Sequence, residues 1–155
     1  MSKQIVQGKC YDDPREDFQG DESITLYGAT ISSFEITKGY KGDFEVGDVI
    51  QVGEEYYIDE SDGQKTLVHF GNYLPSEVGK EYLMFFDNPP KNSKRWKDTY
   101  TPICGEKGRY PVVAPGTCSA ADVDNMTNEE LNLDTGDSSF YRHLYKDVIE
   151  KYMSE

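Results

Sequence analysis

Alternation of apolar and polar positions runs through the first two thirds of the chain. Residues 3–11, KQIVQGKCY, read as a first strand. The polar stretch DDPREDFQGDES follows as a loop, with Pro14 and Gly20 as breakers. Residues 23–40, SITLYGATISSFEITKGY, alternate over an unusual length, with Ile24, Leu26 and Gly28 on one face and Thr25, Tyr27 and Ala29 on the other. That length with an internal glycine predicts a strand that bends as a small barrel curls. In the next stretch Gly39, Gly42 and Gly47 supply positive φ, so the chain turns sharply there while Lys38, Lys41, Asp43 and Asp48 face water. Residues 48–58, DVIQVGEEYYI, and 65–72, KTLVHFGN, are further strands. Residues 81–87, EYLMFFD, are nearly all apolar, as in a central strand. NPPKNSKRWKD is an exposed loop, and residues 99–113, TYTPICGEKGRYPVV, read as a hairpin around GEKG.

The period then changes. Thr127 to Glu130 has capping-box spacing and predicts a short helix, NEELNL. SSFYRHLYKDVIEKYM is a second helix. Phe140, Leu144 and Val148, with Tyr141, Tyr145, Ile149 and Tyr152, recur at three- and four-residue spacings and form one apolar stripe. Such a stripe is read as docking on the barrel, with a binding site as the alternative. The pattern predicts a mainly β chain: a closed antiparallel OB-fold-like barrel of about six strands. The barrel takes residues 3–115, and a C-terminal helical segment, 127–154, lies against it within a single domain, 1–155.

Composition narrows the function more than the fold. A chain of 155 residues fits one domain and can bury a core without a metal. Twelve Tyr and seven Phe suit strands. A formal net charge of −13 repels phosphate backbones, so no nucleic-acid partner is expected, and a single-strand binder would need a basic groove. Cys10, Cys104 and Cys118 form no C-x-x-C pair, which removes a zinc ribbon. No apolar run is long enough to span a membrane, and MSKQIVQGKC lacks the apolar core of a signal peptide. Two locations fit: the cytoplasm, or an extracellular or surface site reached by a leader since removed.

Three segments taken in order, Ile36 to Val52, Val78 to Phe86 and YTPICGEKGRYPVV, carry a family likeness. Together they resemble the netrin-like module, the OB-fold barrel of tissue inhibitors of metalloproteinases and of many secreted bacterial proteins and lipoproteins. The likeness covers residues 3–115, and Cys104 sits where that family has a late cysteine. It implies a secreted or surface protein, with a lipid anchor on a removed leader as one form. Metalloproteinase inhibitors of the family chelate zinc through an N-terminal cysteine. Met1, Ser2 and Lys3 stand at that end here, so the mechanism does not carry over. In the family the cysteine matching Cys104 pairs with one near the domain start. In an oxidising compartment Cys10–Cys104, Cys10–Cys118 and Cys104–Cys118 are all open.

Candidate chemistry is sparse. His69 and His143 have no nameable nucleophile or base partner and read as structural or surface residues. Acidic runs occur at DDPRED, DESDG and DVDN, but the loops from Asp59 and Asp122 fail the calcium-loop pattern: Gly63 is fifth rather than sixth in the first, and Thr127 is sixth and Leu133 twelfth in the second. They read as solvated turns, and no metal or other cofactor is expected. The basic stretch KNSKRWKD stands out on this acidic chain. One reading is an exposed loop whose lysines keep an edge soluble. The other is a contact surface of Trp96, Lys94, Arg95 and Lys97, joined by Tyr40 and Lys41 of the neighbouring turn. The expected function is therefore a non-enzymatic secreted or cell-surface module that binds a protein or a polyanionic or carbohydrate partner through barrel loops. An inhibitor of a secreted protease and a hydrolase with carboxylates in the barrel mouth are the alternatives.

Overall fold

A computed structural model describes residues 4–12, 15–20, 25–54, 56–59, 63–69, 71–87, 99–103, 105–112 and 120–153. The chain is mainly β. The strands are β1 (Gln4–Cys10), β2 (Arg15–Gly20), β3 (Thr25–Lys41), β4 (Val49–Glu54), β5 (Tyr56–Asp59), β6 (Thr66–His69), β7 (Glu81–Phe86), β8 (Thr99–Tyr100) and β9 (Arg109–Pro111). The helix α1 (Ser139–Val148) continues into a π-type turn, Ile149–Met153. The main sheet has the order β8-β4-β3-β1-β7-β9, with β2 also paired to β3, and it is an open path. β5 and β6 make a separate antiparallel pair.

The long strand β3 organises the sheet. Its 17 residues outrun any single neighbour. β1 pairs with residues from Phe34 to Lys41, and β4 pairs with Thr30 to Glu35. The first half of β3 takes β2 as its partner, Arg15 opposite Ile31 through Gly20 opposite Thr25. This corrects the expectation of a loop over those residues. The demand of β3 for backbone partners outweighs the polar sequence of β2. Register breaks in β3 fall at residues 37 and 40 on the β1 side and at Leu26, two residues from Gly28, on the β2 side. Lys41 pairs with Ile5 and Gly39 with Val6, so Tyr40 is an extra, bulged residue. A bulge re-aims its side chain, and that of Tyr40 turns onto the C-terminal segment. Beyond it the turn is tight: Gly42 has φ 110°, and a Cβ there would collide with the side chain of Gln4.

Both faces of the sheet are covered, which explains the apolar run of β7. Tyr82, Met84 and Phe86 point into one core with Val6, Phe34, Ile36 and Val52. Leu83 and Phe85 point the other way, where Leu83 is buried with Ile5, Tyr110, Tyr141, Tyr145 and Ile149. Strand periodicity of two places alternate residues in the two layers. The helix therefore docks on the sheet as its stripe predicts.

The expected hairpin around GEKG is not formed. β8 runs parallel to β4, Gln51 opposite Thr99, while β9 is antiparallel to β7, Leu83 opposite Tyr110. Between them Gly105–Gly108 is a single 3-10 turn. A Cβ at Gly108 would lie 2.4 Å from the Ile103 carbonyl oxygen, so this chain reversal needs glycine. Two contacts bring the segment after β8 to the edge of β7: a bridge between Phe86 and Pro102, and a 2.9 Å bond from the Ile103 amide to the Phe85 carbonyl. The capping box at Thr127 does form, with Glu130 N–H on Thr127 Oγ1 at 3.0 Å and Thr127 N–H on Glu130 Oε1 at 2.9 Å. It opens only turns, because Asn132 enters the left-handed region at φ 61° and ends them.

Candidate binding groove

The C-terminal segment does not lie flush on the sheet. A cavity of about 530 Å³ separates its outer apolar row from the strands below. One wall is Phe140, Leu144 and Val148 of α1 with Tyr152 of the π-type turn. The floor is Phe85 and Tyr110, and Ile103 and Lys107 close one side. Asp147 and Lys151 complete the lining. The volume is within the range of small-molecule sites.

Packing of the inner row holds the groove open. Tyr141, Tyr145, Val148 and Ile149 are buried against the sheet and take the helix's main contact. Tyr110 stacks on Tyr141 with ring centroids 4.9 Å apart. The Tyr141 hydroxyl donates to the Arg109 carbonyl at 2.8 Å, and the Tyr145 hydroxyl donates to that of Pro111 at 2.5 Å. Burial raises the Tyr141 phenol well above its ordinary range, so it remains a donor at any physiological pH. These two bonds set the height of α1 above β9. The outer row is covered unevenly: Val148 is buried and Leu144 half-buried, but Phe140 is 61% exposed. At the far end Tyr40 makes an edge contact with Tyr152, 5.1 Å between centroids, and its hydroxyl donates to the Tyr152 carbonyl at 3.2 Å.

A buried polar cluster surrounds Arg109 of β9, and none of its residues lines the groove. Arg109 donates to the carbonyls of Leu74 (2.7 Å) and Asn132 (3.0 Å) and to Ser76 Oγ (3.0 Å). Its guanidinium lies 3.9 Å from the centre of the Tyr73 ring and 3.6 Å from Glu54. One arginine thus ties β9, the 71–76 segment and the turn at Asn132 together. Burial pushes the Glu54 carboxyl above its ordinary range, although Arg109 and the Ser76 amide pull the other way. Burial opposes the Arg109 charge as well, but Tyr73 and Glu54 beside it prevail and its pKa rises. The Tyr56 phenol is pushed up to about 12 by burial, then by Glu54. Glu54 Oε1 and the Tyr73 hydroxyl have no hydrogen-bond partner among the described residues.

The residues expected at a contact surface are distributed differently. Trp96, Lys94, Arg95 and Lys97 lie outside the described residues, as do Cys104 and Cys118. Lys41 is exposed at the end of β3, whereas Tyr40 is half-buried against Tyr152. Buried Cys10 donates its thiol to the carbonyl of Tyr11 at 3.5 Å. His69 bridges the Gly71 carbonyl (3.0 Å) and the Asp134 carboxylate (2.8 Å), and His143 is exposed on α1. Among the described residues no three His, Cys, Asp or Glu side chains are placed to hold a metal. No helix among them is long and apolar enough to cross a membrane. The groove and the Arg109 cluster are not evident in the sequence by position. The available signal was the doubled row on the helix: Phe140, Leu144 and Val148 beside Tyr141 and Tyr145 make a stripe wider than one docking face needs. Comparison of the chain with family models, with curated proteins and with solved structures gave no match.

Proposed function

We propose that the chain is a non-enzymatic binding module of the netrin-like, OB-fold kind, acting outside the cytoplasm or at a cell surface, and that the groove beneath α1 captures an apolar ligand. The observation that carries the binding role is the groove itself, a concavity of about 530 Å³ walled by aromatic and aliphatic side chains on rigid elements. Such a site loses little entropy on binding because its walls are already ordered. The barrel reading draws on the segment after β8. There the isolated Phe86–Pro102 bridge brings the chain leaving β8 to the edge of β7, which supports a partly open barrel although the sheet itself remains an open path. An OB fold is a partly open five-stranded barrel of this sort. The extracellular setting rests on the family resemblance alone. A binding rather than hydrolytic role is favoured by Glu54, whose carboxylate faces Arg109 instead of a second carboxylate.

A second reading keeps the loop surface of Trp96, Lys94, Arg95, Lys97, Tyr40 and Lys41 for a protein, polyanion or carbohydrate. Of these residues Tyr40 touches the groove wall at Tyr152, which makes the reading compatible with a site that extends from the groove. Titration with N-phenyl-1-naphthylamine, an uncharged fluorophore that brightens in apolar sites, tests the groove. The fluorophore is expected to bind with a stoichiometry of one. Leu144→Trp, which fills the groove, should abolish binding while the thermal transition stays cooperative. An unaltered titration with the folded variant would place the ligand elsewhere.

A further inference from the structure

We propose that the groove takes a long-chain carboxylate, its alkyl chain along Phe140, Leu144 and Val148 and its head group on Lys107. This rests on the groove being the binding site and adds the chemical class of the ligand. On a chain of net charge −13 the groove lining carries two lysines against one aspartate. Other cations of the same helix are engaged: Lys146 pairs with Asp124 at 2.7 Å, and Arg142 donates to the carbonyls of Val123 and Met126. Lys107 and Lys151 have no carboxylate within ion-pair distance among the described residues, and each rests over a ring, Lys107 on Phe140 at 4.9 Å and Lys151 on Tyr152 at 5.4 Å. An ammonium held over an aromatic face keeps most of its charge available to an anion.

The two lysines are not equivalent. Asp147 sits one helical turn before Lys151 and offsets its charge. Next to Lys107 the acid is Glu106, and its carboxylate is directed at Gly71, away from the groove. The uncompensated cation is therefore at the Phe140 end. From Phe140 to Tyr152 the wall runs twelve residues, roughly 18 Å at helical rise. That is a slot for an extended alkyl chain with an anion at one end.

The test compares laurate with dodecanol, equal in chain length, as competitors for the bound uncharged fluorophore at low ionic strength. Laurate is expected to compete about fivefold better than dodecanol, the range of a partly exposed ion pair. Lys107→Gln should bring laurate down to the level of dodecanol, and added salt should have the same effect. Lys146→Gln, which removes a helix cation away from the groove, should retain the preference. Equal competition by laurate and dodecanol in the unsubstituted protein, or a preference that survives Lys107→Gln, would overturn the carboxylate assignment while leaving the groove as the site. Failure of both to compete, or of the fluorophore to bind at all, would overturn the groove as well.

Discussion

Arg109 shows how far one residue's role can lie from its sequence neighbourhood. GRYPV reads as a short strand, and nothing in it announces a guanidinium 2% exposed. Its acceptors are the carbonyls of Leu74 and Asn132, at sequence distances of 35 and 23 residues. Local pattern carries no information on contacts of that range. Asn132 is the counterpart: its tolerance of the left-handed region is legible by residue type, while its side-chain bond to the Pro75 carbonyl at 2.7 Å is not. The pair of Glu54 with Arg109 carries a prediction. Because burial holds the folded carboxyl above its ordinary value of 4.5, the folded state favours the protonated form. That contribution is fully present below the unfolded pKa and is lost as pH rises through the folded one. Glu54→Gln removes the titration. In chemical denaturation across a pH series, the stability of Glu54→Gln relative to the parent should rise with pH over this window. A relative stability that falls with pH would mean that Arg109, not burial, governs the carboxyl.

At the scale of elements, apolar periodicity located β1, β3, β7 and α1, because each has a buried face long enough to repeat. It missed β2, whose strand state is dictated by the unpaired half of β3 rather than by its own residues. It also joined β8 and β9 into a hairpin, since two short strands about a glycine-flanked turn look alike whether they pair with each other or with β4 and β7. The turn between them matters to the groove because it carries Lys107 and abuts Ile103. Gly108→Ala would force a methyl against the Ile103 backbone, 2.4 Å from its oxygen and 2.7 Å from its nitrogen. Backbone cannot yield as a side chain tip does, so a loss of about 1–3 kcal/mol in unfolding free energy is expected, together with weaker fluorophore binding. Wild-type stability for this variant would show that the turn relaxes freely and does not define the groove wall.

For the whole molecule, the distinction that matters is between the two apolar layers. The layer under β3 and β4 is tightly buried, with Val6, Phe34, Ile36 and Val52 fully inaccessible. The layer between the sheet and the C-terminal segment is filled by the inner tyrosine row and opens into the groove beside Phe140 and Leu144. Charge follows the same division: the surface is strongly acidic, and the two lysines of the groove lining are set against it. Composition revealed the acidic field, and the helical stripe revealed the docking. The gap between helix and sheet depends on the height set by the Tyr141 and Tyr145 hydroxyls, a tertiary distance with no one-dimensional trace. Methyl-resolved NMR during laurate addition examines this division directly. The methyl signals of Ile103, Leu144 and Val148 are predicted to shift in a saturable manner while those of Val6, Ile36 and Val52 remain in place. Saturable shifts confined to the Val6 layer, or no methyl shift at any laurate concentration below micelle formation, would contradict the account.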